Sequence, residues 1–273
     1  MTSRGRLIAA VVAIGLAYAL YRIVVHAGHV EPAIVTPQMD AVEAVSPSFL
    51  ARIKRFVNDR VSYSDRANRP RLIALTFDDG PYPMFTPLLL EQLRRLHVPA
   101  TFFLIGRDAQ QWPELTQRIR AQGNEVANHT YTHPNLEQEP AAAVRAEIVD
   151  GRNVLQHIVP DPALSLYFRP PHGRYTVDTI RIAQSLGYTT VLWTDDSGDW
   201  RVVATPQILA EHLEAHATAP EIVLLHSGRL ATVQMLPAVV SRFREAGYRF
   251  VTVSGLLARV SPAELNHPAK RGI

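Results

Sequence analysis

His129 and His133, spaced as HxxxH, follow a short apolar run and stand just before Pro134. The spacing alone says little, because a chain with 11 histidines meets it often by chance. The sequence carries its own control. His212 and His216 repeat the spacing inside AEHLEAHATA, a stretch that reads as mid-helix with the pair on a solvated face. The first pair gains weight from its company, because Asp78-Asp79-Gly80-Pro81 ends another apolar run. Neighbouring side chains on a strand point to opposite faces. Both carboxylates therefore reach one site only if the backbone leaves strand geometry, and Gly80-Pro81 is expected to supply that break. One aspartate and the two histidines make a set that binds a divalent metal and leaves positions open for water or substrate. The other aspartate is then free to act as a base.

Three further segments supply what such a site would need. Arg169-Pro170-Pro171-His172-Gly173 presents an arginine from a backbone stiffened by proline, and a guanidinium can hold a carboxylate in a fork. Asp199-Trp200 and Leu224-Leu225-His226 offer a carboxylate and a histidine. A carboxylate bonded to an imidazole fixes its tautomer and raises its proton affinity, as a general acid requires. The chain has no cysteine, which excludes disulfides, thiolate metal sites and a cysteine nucleophile. No basic stripe interleaved with aromatics is present, which argues against a nucleic-acid partner.

The elements that must position these residues alternate in type from residue 71 onward. Strands are expected at Leu72–Phe77, Ala100–Ile105, Glu125–Asn128, Leu166–Arg169, Thr189–Thr194, Ile222–His226 and Phe250–Val253. Amphipathic helices are expected at Thr86–Leu96, Pro113–Gln122, Ala141–His157, Val177–Leu186, Pro206–Ala217 and Val233–Ala246. This alternation predicts an α/β domain of parallel strands with right-handed crossovers. A doubly wound open sheet competes with a distorted (β/α) barrel of about seven strands. The chemically capable residues fall at strand carboxyl ends, where both folds place their sites. One site fed by so many strand ends is better met by a closed or nearly closed barrel.

Ahead of this domain, Arg4 and Arg6 precede an apolar run from Leu7 to Val25, broken only by Arg22. The run is about the length that crosses a bilayer, and Ala17-Tyr18-Ala19 has the form of a signal-peptidase site. Residues 1–27 therefore read as a signal-anchor or signal peptide. Either sends the rest of the chain out of the cytoplasm, anchored in the membrane or secreted after cleavage at Ala19. Residues 28–69 read as a stalk with one amphipathic helix opened by Ser46-Pro47, residues 70–262 as the catalytic domain, and residues 263–273 as a tail.

These segments, in this order, resemble the polysaccharide deacetylase family, carbohydrate esterase family four. TFDDGP (Thr76–Pro81), HTYTH (His129–His133), FRPPHG (Phe168–Gly173), DSGDW (Asp196–Trp200) and LLHSG (Leu224–Gly228) are similar to its five motifs. The resemblance covers residues 70–257 and implies a distorted barrel holding one divalent metal, zinc first, with cobalt, nickel or manganese as alternatives. It implies Asp79, His129 and His133 as ligands, Asp78 as general base oriented by Arg169, and His226 as general acid tuned by Asp199. It further implies that Trp200 and Leu224 wall an acetyl pocket, and that the oxyanion is met by a backbone N–H near His172. The family often has an aromatic residue where His172 stands and aspartate where Ser227 stands, so substrate choice is where this chain is expected to differ. The implied reaction is removal of acetyl from N-acetylglucosamine-type residues of a glycan. A deacylase of O-acetylated or lipid-linked sugars, and an inactive glycan-binding module, are the competing readings.

Overall fold

The computed structural model describes residues 34–35, 70–159, 164–217 and 219–260. The first half runs β1 (Ile34–Val35), β2 (Leu72–Gly80), α1 (Thr86–Leu96), β3 (Thr101–Leu104), α2 (Gly106–Gln111), α3 (Pro113–Ala121), β4 (Glu125–Asn128) and α4 (Ala141–Ile158). The second half runs β5 (Leu164–Phe168), α5 (Val177–Ser185), β6 (Thr189–Val191), β7 (Asp195–Asp196), α6 (Pro206–His216), β8 (Glu221–His226), α7 (Leu230–Glu245), β9 (Arg249–Phe250) and α8 (Val253–Leu257).

Seven strands pair in parallel, in the order β6-β5-β4-β3-β2-β8-β7. β1 adds antiparallel to β6, so residues 34–35, assigned by the sequence to a stalk, lie on the sheet edge. β9 pairs with the start of β2. The sheet is curled. β5 and β2 are three strands apart, about 14 Å in a flat sheet, yet Arg169, just past β5, reaches Asp78 on β2 at 2.7 Å. The curl does not close, because no ladder joins β6 to β7 among the described residues. The fold is thus an open-sided version of the expected barrel.

Period-two alternation along β2 builds both sides of this layer. Leu72 and Ala74 point inward with Phe103, Ala127, Val191 and Ile222, and α8 adds Val253 and Leu256 to the same cluster. Ile73, Leu75 and Phe77 point outward into a larger cluster with Leu89 and Leu93 of α1, Leu209 and Leu213 of α6, and Leu236 and Val240 of α7. Thr76 and Asp78 continue the inward set towards the carboxyl end, where apolar residues give way to polar ones.

Most expected elements are present, β4 and α1 with the expected limits. Three differ. β7 (Asp195–Asp196) is an added parallel strand that ends where the DSGDW segment begins. The strand expected at Phe250–Val253 is the short β9, also parallel to β2, with Val253 starting α8. Thr252 caps α8, its hydroxyl accepting the Gly255 N–H. α2, six residues long, is too short to leave a periodic signature. The apolar run Leu7–Val25, the helix expected after Ser46 and the tail 263–273 lie outside the described residues. Among the described residues no helix is long and apolar enough to cross a membrane.

The outward layer carries the helices, so its loss should be felt throughout. Phe77 is fully buried and stacks on Phe102 with ring centroids 5.2 Å apart. Phe77→Ala should cost about 3–5 kcal/mol. Met84→Ala, at an exposed loop position, should stay within about 0.5 kcal/mol of the parent. Denaturant unfolding of the two variants checks the contrast.

Candidate active site

At the mouth formed by the strand carboxyl ends, Asp79, His129 and His133 offer three ligand atoms that lie within 4.8 Å of one another. The Asp79 carboxylate is 3.5 Å from His129 Nε2 and 3.2 Å from His133 Nε2. Asp79 has φ +67°, and the β2–β3 register shifts between Phe77 and Gly80. The strand therefore bulges at Asp79 itself, one residue before the expected Gly80-Pro81, and pairs again at Gly80. The left-handed turn swings the Asp79 carboxylate to the side that Asp78 already faces. Burial works against its charge, but the adjacent His129 and His133 rings outweigh that and hold its proton affinity well below the usual carboxylate range. It is a carboxylate ready to ligate. His129 Nδ1 lies 2.7 Å from the Arg169 carbonyl. A carbonyl only accepts, so Nδ1 carries the hydrogen and Nε2 is left with its lone pair facing the cluster.

Arg169 is fully buried. Its Nη1 donates to Asp78 Oδ1 at 2.7 Å and to the Thr76 hydroxyl at 2.8 Å, and its Nε and Nη2 donate to the carbonyls of Val191 and Leu192. The guanidinium lies 4.0 Å over the Phe103 ring. One oxygen of Asp78 is thus held, and the other, Oδ2, faces His129 Nε2 at 3.7 Å. Burial lowers the proton affinity of Arg169, and the Asp78 charge opposes that fall.

On the adjacent strand, His226 sits opposite Asp78 in register. Its Nδ1 is 2.6 Å from Asp199 Oδ1, and its backbone N–H donates to Asp199 Oδ2 at 2.8 Å. The Thr232 hydroxyl donates to the same Oδ2 at 2.6 Å. Asp199 is buried and therefore rigid. Burial disfavours the imidazolium. The Asp199 hydrogen bond and charge, with the charges of Asp78 and Asp79, overcome this and push the His226 pKa up to about 9. With Nδ1 held, Nε2 is the ring nitrogen available to a substrate.

The remaining expected residues fall on the rim or beneath it. Leu224 lies two residues before His226 on the same strand face, buried and paired with Thr76. Trp200 is half exposed, its indole N–H shared between the oxygens of Asp196. His172, at φ +59°, places its ring edge-on to His133 with centroids 4.6 Å apart. The sequence reading missed three neighbours. Thr232 supports Asp199 from α7. Trp193 fills the space a side chain at Gly173 would take. Tyr82 packs its ring on Gly228, and burial and the Asp79 charge raise its pKa. None belongs to a spaced motif; only the pairing of strand ends brings them in.

The second HxxxH pair stays outside the site but is not wholly solvated. His212 Nε2 lies 3.3 Å from Asp195, whose pKa burial raises against the pull of His212, while His216 is exposed and stacks on His212. Helix α6 points this face at β7, which sequence spacing alone does not reveal.

An open-sided parallel α/β barrel with an Asp-His-His cluster, an Arg-Asp pair and an Asp-His dyad at its mouth defines a class of hydrolase. Residues 65–191 match the polysaccharide deacetylase family. A peptidoglycan-N-acetylglucosamine deacetylase of Bacillus cereus is 38% identical over 197 residues, covering 70% of this chain and 90% of that one. A chitooligosaccharide deacetylase of Bradyrhizobium is 39% identical over 169 residues, 62% of this chain and 76% of that one. A crystal structure of a peptidoglycan N-acetylglucosamine deacetylase superimposes with TM-score 0.66 at 30% identity, covering 70% and 90% of the two chains. This chain belongs to the polysaccharide deacetylase family, hydrolases that act on amide bonds.

The His226–Asp199 dyad makes a prediction about pH. Because the folded state lifts the His226 pKa from 6.5 to about 9, the stability it gives is full below about pH 6.5 and is lost as pH rises through 9. In metal-free protein the denaturation midpoint should therefore show a falling component across that window. Asp199→Asn should flatten that component and lower the His226 pKa, read by NMR titration of the imidazole. An unchanged titration would remove Asp199 from this role.

Proposed function

We propose that this protein removes acetyl groups from N-acetylglucosamine residues of a glycan, with Asp79, His129 and His133 holding one divalent metal, zinc first. The observation that carries the reading is that two independent devices face one mouth. One is a ligand cluster with its histidine tautomer already set; the other is a histidine oriented to donate a proton. A binding module has no need of both. The three donors fit a divalent ion through two imidazole nitrogens and one carboxylate, with room for further ligands. When bound, the ion polarises the acetyl carbonyl and lowers the pKa of water.

The protein's own groups divide the remaining work. Asp78 takes the proton of the attacking water through Oδ2, because Arg169 occupies Oδ1. Arg169 fixes the carboxylate in place and, being buried, allows it no alternative rotamer. The developing oxyanion is met by the backbone N–H at His172, in the turn that the positive φ creates. His226 gives its Nε2 proton to the departing amine, which is otherwise a poor leaving group. Leu224 lines the floor beside the acetyl group and Trp200 offers a ring to a sugar at the rim. Both curated relatives described above act on N-acetylglucosamine polymers or oligomers by name, which supports peptidoglycan or chitooligosaccharide as the substrate. The apolar run behind Arg4 and Arg6 supports an exported enzyme held at the membrane or released from it.

Loss of acetyl from a panel of N- and O-acetylated glycans, followed by mass spectrometry, tests the activity directly. No loss from any N-acetylated glycan would overturn the reading. Two adjacent substitutions should fail differently. Asp78→Asn keeps an acceptor for Arg169, so it should retain metal while turnover falls about 10²–10⁴-fold. Asp79→Asn should instead lose metal, as should His133→Ala, while His216→Ala keeps it. Elemental analysis beside turnover separates these outcomes, and the reverse pattern would show the two aspartate roles to be exchanged. His226→Ala should bind metal normally and slow an N-acetyl sugar far more than an activated ester, whose leaving group needs no proton.

A further inference from the structure

All four backbone N–H groups of the loop Thr130–His133, which delivers one of the two histidines, donate to side chains. The Thr130 N–H donates to Asn128 Oδ1 at 2.9 Å, and the His133 N–H to the Thr130 hydroxyl at 3.1 Å. The two donors between them go to one carboxylate: Tyr131 N–H to Glu147 Oε2 at 3.0 Å and Thr132 N–H to the same oxygen at 2.8 Å. The Thr132 hydroxyl donates to Glu147 Oε1 at 2.7 Å. On the loop's other side, the N–H groups of Gly106 and Arg107, opening α2, donate to the carbonyls of Thr130 and Tyr131. Glu147 and α2 thus grip opposite edges of one turn of backbone.

The turn needs that grip. Thr130 and His133 have φ of +68° and +66°, a region that non-glycine residues occupy only where their surroundings over-determine it. α4 is shaped to approach closely. One helical turn after Glu147, a side chain at Gly151 would come within 2.9 Å of the Thr130 carbonyl group. The Ile148 carbonyl, between these positions, accepts from Asn128. The face of α4 at 147 and 151 therefore presents acceptors to the loop's donors and a bare backbone to its carbonyl.

We propose that Glu147 is a positioning residue for the metal centre: its carboxylate holds the Thr130–His133 turn in the strained form that brings His133 Nε2 beside Asp79. The inference rests on the metal reading above. Glu147 bonds to Tyr131 and Thr132 and forms no part of the Asp-His-His cluster. It acts by hydrogen bonding, not by charge, so an uncharged acceptor of the same shape should replace it. Glutamine serves, with its oxygen to the two backbone donors and its amide to the Thr132 hydroxyl, which can accept.

The test is zinc affinity of the stripped full-length protein, measured by competition with a chelator, beside thermal unfolding of the metal-free form. Glu147→Ala should weaken zinc binding about 10–100-fold, the usual effect of losing an outer partner of a ligand, and Glu147→Gln should restore it. A role confined to holding the fold would lower the unfolding temperature and leave zinc affinity unchanged among the molecules that fold. Should the alanine variant not fold, Glu147→Asp keeps the charge but falls one carbon short of the loop, and should lose affinity likewise. Folded Glu147→Ala or Glu147→Asp with parental affinity would overturn the proposal, as would Glu147→Gln as weak as alanine. Parental protein that takes up no zinc would overturn the metal reading itself, and this inference with it.

Discussion

One guanidinium stands at the centre of the curled sheet, and four hydrogen bonds leave it. Arg169 enters from the end of β5, takes the carbonyls of Val191 and Leu192 at the end of β6, and reaches Thr76 and Asp78 on β2. Thr76 passes the connection on, its hydroxyl donating to the Val223 carbonyl on β8. Burying an arginine costs several kcal/mol, and the cost is offset only when charge and hydrogen bonds are supplied together. The inward side of a curled parallel sheet can meet that demand, because strand ends converge there from several directions. Arg169 thereby ties together strands that a flat sheet would hold far apart, and the curl is the shape in which its donors are satisfied.

The same residue also joins the two halves of the chemistry. Its side chain fixes Asp78, while its main-chain carbonyl fixes the His129 ring. The carboxylate proposed as base and the imidazole proposed as ligand cannot drift independently, since both are referred to one residue whose own position is set by five neighbours. His226 is held by a separate device, through Asp199 and Thr232. Its link to Asp78 is the β2–β8 ladder, where the two stand in register. The proposed acid and base are therefore spaced by backbone pairing.

Much of this could be read in the chain beforehand, for reasons that differ from residue to residue. LIALTFDD opens as a continuous apolar run, as a strand buried on both faces does, and ends in polar residues, so both the strand and its polar end are visible locally. HTYTH and FRPPHG are compact segments whose chemically capable residues stand within a few positions of one another. What escaped acts across the fold. Thr232 is one threonine among many until α7 sets it beside Asp199. Glu147 looks like an ordinary helix glutamate until α4 meets the Thr130–His133 turn. The strand β7 was hidden because two residues leave no period, and the helix α8 because Val253 continues an apolar run. His212 shows the limit in the other direction. Its spacing marks it as solvated on one helix, and only the packing of α6 on β7 turns it towards Asp195.

Backbone strain marks the site as clearly as the side chains do. Five non-glycine residues among those described have positive φ: Asp79, His97, Thr130, His133 and His172. His97 is the ordinary left-handed cap that ends α1. The other four all border the ligand cluster. Glycine would relax each of them, yet at Asp79 and His133 a glycine would delete the donor atom itself. The strain is then the consequence of asking two adjacent carboxylates, or two histidines four apart, to face one point from chain segments whose regular geometry would part them. Such strain of about 1–3 kcal/mol per residue persists only where surrounding contacts leave no alternative. At Asp79 those contacts are the two histidines and the β2–β8 ladder. In the loop they are Asn128, Glu147 and the start of α2, and at His172 they are the flanking prolines and the Trp193 ring against Gly173. The site is held open by the fold around it, and the residues that do this lie mostly one layer away from the chemistry.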